Sequence, residues 1–148
     1  MTARAETAKI LIPVGDIVSK ELITKALHLL STFKSPLIVL FHVIEIQSRT
    51  ATLETEPYEA QIKSAEKRLV DLSTWLTGQG LEVRIKVAIA RYIAEGIIDE
   101  VNRDGYLVVF LMKRKMAKGW KRLFTRSVSE RVIRSANCLV MIATLEQP

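Results

Sequence analysis

The chain has 148 residues, of which 49% are hydrophobic and 26% charged, the composition of a single ordinary globular domain. Twenty-two Lys and Arg against sixteen Asp and Glu give a net charge of +6, and no apolar run approaches the roughly 20 residues that span a bilayer. The single cysteine excludes an intramolecular disulfide, and together with only two, separated histidines it excludes a zinc-binding constellation.

Short apolar runs alternate along the chain with segments of helical periodicity. The predicted elements are, in order, a strand at 8–14, a helix from Ser19 to Pro36, a strand at 37–43, a helix from Tyr58 to Gly78 or Gly80, a strand at 81–89, a helix at 92–103, a strand at 106–112, a helix at 127–136 and a strand at 138–144. Strands that alternate with helices predict an α/β domain with a parallel sheet and right-handed crossovers. We expect one domain over 1–148, with a loose N-terminus at 1–7 and a mobile loop at 47–57.

The spacing of apolar residues also predicts which side chains face the core. Leu22, Ala26, Leu29 and Phe33 form the predicted inner stripe of the first helix, and Ile93, Ile97 and Val101 that of the third. Alternating apolar and charged residues at 81–89 are typical of a strand at or near the edge of the sheet. We expect Cys138, which lies in an apolar segment, to be a buried structural thiol.

A search for catalytic motifs finds none that is convincing. The sequence has neither G-x-G-x-x-G after the first strand nor a G-x-x-x-x-G-K-[ST] loop, and no serine has a readable His and Asp partner. His28 lies beside an apolar helical stripe, where packing is its expected role. His42 ends a buried strand near the expected ligand crevice, so that both a structural and a site role stay open for it.

The most distinctive stretch is a basic loop at 113–126, KRKMAKGWKRLFTR, which has seven cations and no acid. Without those seven charges the net charge of +6 would become −1, so the basicity is local. The loop joins a strand to a helix, a junction at which open parallel sheets bind ligands. It is either a solvated surface or an anion-binding surface, formed in the second case by Lys113, Arg114, Lys115, Lys118, Lys121, Arg122 and Arg126.

Three segments resemble the universal stress protein family: KILIPVGD at 9–16, the LFHV strand end at 40–43, and KRLFTRSVSERVIRSANCLVMI at 121–142. The resemblance covers almost the whole chain. It implies a single-domain open parallel five-stranded sheet of order 3-2-1-4-5 with helices on both faces, Rossmann-like and adenine nucleotide alpha hydrolase-like. It also implies a homodimer formed through the last strand, 138–144, and an unprotected apolar edge strand favours such pairing.

ATP-binding members of that family resemble Gly-two-Gly-nine-Gly-Ser/Thr before the last helix, where bare backbone approaches the phosphates. Counted back from Ser127, the three glycine positions carry Lys113, Met116 and Arg126, and the family's Asp-Gly after the first strand reads Gly15-Asp16. The residues that would contact a bound nucleotide by resemblance are Val14, Asp16, Val43, Ser127 and Val128.

We therefore expect a non-catalytic stress-response or regulatory protein that is cytoplasmic, contains no cofactor or metal, and acts as a homodimer through partner binding with a degenerate nucleotide site. The basic loop would dock an acidic protein or an anionic surface; nucleic acid is disfavoured because no recognised nucleic-acid module is present. One alternative is an ATP-binding protein that uses Lys113 and Arg126 in place of the glycines, with slow hydrolysis or autophosphorylation. In that case Ser127 would hold a phosphate, and Ser129 would be a weaker candidate for its acceptor. Another is a soluble domain allied to a membrane transporter.

The loss of all three glycines predicts that the chain does not bind ATP in the family's manner. Side chains at 113, 116 and 126 occupy space that a triphosphate needs, and a Cβ disfavours a positive φ by about 1 kcal/mol or more. Calorimetry should detect no micromolar affinity for ATP. Micromolar binding that is abolished by substitution of Ser127 would contradict this prediction.

Overall fold

A computed structural model describes residues 8–31, 36–46, 58–114 and 127–145. The predicted alternation of strands and helices is confirmed there, with bounds that differ from the expected ones by one or two residues at most ends. The elements are β1 (Lys9–Pro13), α1 (Lys20–Leu29), β2 (Leu37–Glu45), α2 (Glu59–Thr77), β3 (Glu82–Ala90), α3 (Ile93–Asp104), β4 (Val108–Arg114), α4 (Val128–Ser135) and β5 (Leu139–Leu145). The predictions for 1–7, 47–57 and most of the basic loop, 115–126, lie outside the described residues.

The five strands form one parallel sheet of order β3-β2-β1-β4-β5, as predicted, with β3 and β5 at its edges. The pairings are very unequal in length. Strands β2 and β3 are paired over nine residues, whereas β1 and β4 are paired only at Ile10–Val108 and Leu11–Val109. Beyond Leu11 the two central strands are no longer paired, and this is also the point at which the strand order reverses, where open α/β sheets form their ligand crevice.

Both faces of the sheet are covered, because neighbouring side chains on a strand point to opposite faces. Ile12 contributes to a core with helices α1 and α2, whereas Leu11 contributes to a second core with α3 and α4. None of the helices within the described residues combines the length and hydropathy needed to cross a bilayer.

Helix α1 begins as predicted, and its inner stripe is confirmed at Ala26, which is buried, and at Leu22, which packs against the core, but not at Leu29. The Oγ of Ser19 accepts the N–H of Leu22 at 3.2 Å, which caps the helix. The expected inner residue Leu29 is 70% exposed, and Ile23 and Leu30 are buried instead. The predicted stripe required a helix that continues to Phe33, whereas α1 ends at Leu29 and Leu30 forms the C-cap that turns inward.

Two further burial predictions are corrected. Ile97 and Val101 are buried in α3 as expected, but Ile93 is 38% exposed because it begins the helix at the rim of the sheet. Cys138 is only half-buried, since it directly precedes the edge strand β5, and the partial burial raises the pKa of its thiol.

The amino-terminal end of the sheet is stabilised by a network around Glu100, a buried carboxylate that is only 5% exposed. Its Oε2 accepts hydrogen bonds from the Tyr106 hydroxyl at 2.7 Å and from the Lys86 ammonium at 2.9 Å. Lys86 also contacts Asp104 at 3.2 Å, and Asp104 lies 3.7 Å from Lys9. Residues from β1, β3, α3 and the segment just before β4 are thereby joined, and burial next to Glu100 raises the pKa of Tyr106.

Replacement of Tyr106 by Phe should destabilise the protein by about 1–3 kcal/mol, because a buried carboxylate then loses one of its two donors. Tyr92→Phe is the matched control: Tyr92 is 52% exposed, and removal of its hydroxyl should change stability by less than about 0.5 kcal/mol. Urea unfolding of both variants measures the difference. Equal stabilities for the two variants would show that the hydroxyl does not support Glu100.

Candidate functional site

A cavity of about 510 Å³ opens at the carboxyl end of the sheet, between the starts of α2 and α3. Two of the five predicted nucleotide contacts, Asp16 and Val43, line this cavity. The remaining lining residues are His42, Ile44, Glu45, Ala60, Gln61, Ser64, Arg68 and Ile93. The carboxyl ends of parallel strands are where such folds bind ligands, so this cavity is the candidate site.

The strand wall of the cavity is ordered by contacts between β1 and β2 that continue past the end of β1. The N–H of Val14 donates to the carbonyl of Phe41 at 2.7 Å, and the carbonyl of Val14 lies 2.6 Å from Nδ1 of His42. A carbonyl oxygen only accepts, so Nδ1 carries the proton in this contact. This contact fixes the orientation of the His42 ring, which lines the cavity.

Glu45, at the end of β2, connects the cavity to the start of α3. The N-cap residue of α3, Tyr92, makes no side-chain cap, and Glu45 Oε2 accepts the N–H of Ile93 at 3.2 Å instead. A carboxylate at this position complements the positive end of the helix dipole. The positive end of the α3 dipole is thus compensated by the carboxylate of Glu45.

The opposite wall comes from α2, whose contribution was not predicted. Ala60, Ser64 and Arg68 recur every four residues and lie on one face of the helix, with Gln61 beside them. Arg68 brings a cation to a cavity that also contains the carboxylates of Asp16 and Glu45. The spacing of four on the polar face of α2 was the available signal, but solvated helix faces show the same pattern.

Val43 packs against Gly96, which lets α3 approach β2 closely. A Cβ built at Gly96 would lie 2.8 Å from Cγ2 and 2.9 Å from Cγ1 of Val43, and 3.3 Å from Cβ of Ala90. Val43 is 7% exposed, so it serves both the cavity wall and the core beneath α3.

Of the other predicted nucleotide contacts, Val14 is buried beneath this wall, and Ser127 and Val128 begin α4 without lining the cavity. The Oγ of Ser127 accepts the N–H of Glu130 at 3.2 Å and lies 2.9 Å from the Oγ of Ser129, which is itself buried. Ser127 therefore acts as the N-cap of α4.

Two of the seven predicted anion-binding cations, Lys113 and Arg114, are described, and both belong to β4. They are paired in register with Thr144 and Leu145 of β5, and Arg114 is exposed. Neither contributes to the cavity. The other five, Lys115, Lys118, Lys121, Arg122 and Arg126, lie outside the described residues.

No three His, Cys, Asp or Glu side chains within the described ranges are grouped closely enough to hold a metal ion. The cavity itself combines the cation of Arg68 with the carboxylates of Asp16 and Glu45 and with the polar side chains of Ser64 and His42. Such a wall can orient a polar ligand.

The comparison with protein families gives one match: residues 6–144 fit the model of the universal stress protein family. This covers nearly the whole chain and every element of the sheet. A search of curated protein sequences found no significant match.

Solved structures with the same fold cover almost the whole chain. The hypothetical protein MJ0577 is 23% identical, with a TM-score of 0.65 over 95% of this chain and 97% of its own. A universal stress protein family member from Burkholderia pseudomallei is 15% identical, with a TM-score of 0.65 over 95% and 98% of the two chains. The universal stress protein from Archaeoglobus fulgidus is 17% identical, with a TM-score of 0.66 over 91% and 92%. At these identities the likeness establishes a common fold.

Substitution of Gly96 by Ala should destabilise the protein by about 1 kcal/mol. Alanine favours a helix by about 1 kcal/mol, but the new Cβ meets both methyl groups of Val43, and overpacking costs about 1–3 kcal/mol. The double variant Gly96→Ala, Val43→Ala should be less destabilised than the sum of the two single variants, by a coupling of at least about 0.5 kcal/mol. Gly15→Ala, which has no atom within 4 Å of its new Cβ, is the control; additive effects in the double variant would refute the contact.

Proposed function

Because the chain belongs to the universal stress protein family, we propose that it is a non-catalytic regulatory protein of the stress response, which acts in the cytoplasm as a homodimer through partner binding. Its nucleotide site would be degenerate. The observation that carries this proposal is the replacement of the family's phosphate-binding glycines, beginning with Lys113.

The structure around Lys113 supports the loss of the phosphate cradle. Lys113 occupies the position of the first glycine and is a regular residue of β4, paired with Thr144. Where a glycine would leave the backbone bare, Lys113 has a half-buried side chain. At the start of α4 the Ser127 hydroxyl is engaged as a helix cap. A phosphate held in the family's manner would have to displace the side chain of Lys113. At the start of α4 it would compete with the Ser127 Oγ for the N–H of Glu130.

The edge strand β5 supports the proposed dimer. Within the described residues β5 is paired on one side only, with β4, and five of its seven residues are half-buried while Leu139 is 64% exposed. Its sequence, LVMIATL, has neither a charge nor a proline to block pairing with another strand. Two copies joined by a two-fold axis would extend the sheet through these edges.

The proposed partner is an acidic protein or an anionic surface that meets the basic loop. Lys113 and Arg114 begin that loop at the carboxyl end of β4. Seven cations without an acid in fourteen residues would attract such a partner over about 10 Å at moderate ionic strength.

A second candidate is nucleotide binding with slow hydrolysis or autophosphorylation. The observation in its favour is the cavity of about 510 Å³ that joins Asp16 and Val43, two of the contacts expected for a nucleotide. In this case Lys113 and Arg126 would replace the missing backbone contacts with charge. Excess absorbance near 260 nm from a nucleotide that copurifies with the protein would favour it.

Leu139→Lys should shift the protein from dimer to monomer in sedimentation equilibrium, because a charged side chain on an apolar edge strand discourages pairing with another strand. Leu29→Lys is the matched control: Leu29 is 70% exposed but lies on α1, away from β5. The control should leave the mass unchanged. A dimer that survives Leu139→Lys would exclude this edge as the interface.

Reversal of Lys113, Arg114 and Lys115 to Glu should weaken binding to the partner and flatten its dependence on salt. The same reversal of Lys25, Lys63 and Lys67, which lie on α1 and α2, changes the net charge equally and should have little effect. If the partner were nucleic acid, each lost phosphate contact would lower the log–log salt slope by about 0.7–0.9. Salt dependence that is unaffected by the first triple variant would remove the loop from the interface.

A further inference from the structure

A second, smaller cavity of about 200 Å³ lies towards the amino-terminal end of the sheet, opposite to the end that carries the candidate site. It is lined by Lys9 of β1, by Arg84, Ile85 and Lys86 of β3, by Asp104 of α3, and by Val39 and Tyr106. Its volume equals that of about seven water molecules at about 30 Å³ each, enough for a small ligand group.

The cations of this cavity are held in place by the buried network described above. Lys86 is fixed by Glu100 at 2.9 Å and Asp104 at 3.2 Å, and these contacts raise its pKa. Lys9 donates to the carbonyl of Asp104 at 3.4 Å and lies 4.6 Å from the centre of the Tyr106 ring. Both ammonium groups are thus positioned before any ligand arrives, which lowers the entropy cost of binding.

The cavity has more hydrogen-bond donors than the acceptors around it can engage. The Lys86 ammonium has three N–H groups and gives two of them to carboxylates. Arg84 has five N–H groups, and its nearest acid among the described residues, Glu82, is 3.9 Å away, too far for a hydrogen bond. The ligand that completes this arrangement brings acceptor oxygens.

The charged groups around the cavity balance, but they are not equally engaged. Lys9 and Lys86 contact the carboxylates of Asp104 and Glu100 directly, whereas Arg84 lies 3.9 Å from Glu82 and makes no hydrogen bond to it. The planar fork of Arg84 therefore remains available to an oxyanion, which it binds well.

We propose that this cavity is a second ligand site, which takes a small oxyanion: a phosphoryl or carboxylate group between Arg84, Lys86 and Lys9. The site is independent of the nucleotide crevice and of the basic loop, because it lies at the other end of the strands. Free phosphate, a phosphorylated metabolite and a small carboxylic acid share the chemistry that it recognises.

The test is a titration of the ¹⁵N-labelled full chain at pH 7 with inorganic phosphate, and separately with acetate, at constant ionic strength set with NaCl. We expect saturable chemical-shift changes at the backbone amides of Ile85, Lys86 and Tyr106, and none at Asp16 or Glu45. Saturation with phosphate alone assigns the site to phosphoryl groups, and saturation with acetate extends it to carboxylates.

Arg84→Gln should weaken binding about tenfold, since it removes one charge-assisted pair of hydrogen bonds. The Arg84 side chain is 67% exposed, so the variant should fold like the wild type, as checked by its thermal melting. Lys25→Gln, on the far α1 helix, removes the same charge and should bind like the wild type. Shifts that stay linear with both anions, or equal binding by the two variants, would overturn the proposal.

Discussion

The parting of β1 from β4 after Leu11 is the constraint on which the carboxyl end of this molecule depends. Only two residue pairs join these central strands, whereas β1 stays bonded to β2 through the contact from Val14 to Phe41. The sheet is therefore divided at its switch point into a β1-β2-β3 part and a β4-β5 part. The cavity belongs to the first part, and Lys113, Arg114 and Ser127 belong to the second.

This division gives the two parts different chemistry. The first part retains a polar cavity in which protein groups already satisfy one another: His42 contacts the Val14 carbonyl, and Glu45 caps α3. The second part continues β4 as a regular strand into the basic loop and ends in the unprotected edge of β5. The dimerisation and the partner binding that we propose would both use the second part, through β5 and through the basic loop.

The amino-terminal end of the sheet is built differently, around the buried carboxylate of Glu100. An isolated buried charge is costly, and here Lys86 and Tyr106 supply the compensating donors. Lys86 lies on an edge strand, where a charged residue also discourages pairing with another chain. The same cation thus stabilises α3 against β3, protects the edge, and lines the cavity that we propose as an oxyanion site.

The sequence by itself determined the order of elements, the cap at Ser19, the edge position of β3 and, through its resemblance, the strand order. These features depend on local periodicity and on motifs that lie close together in the chain. Only the tertiary structure decided that Leu30 rather than Leu29 turns inward, because that choice depends on where α1 ends. It also decided that Ser64 and Arg68 face Asp16 across a cavity, and that Glu100 is buried rather than solvated. A polar residue on a helix has the same sequence pattern in water and beside a partner, and here the partners are brought to it by strands and crossovers distant in the chain.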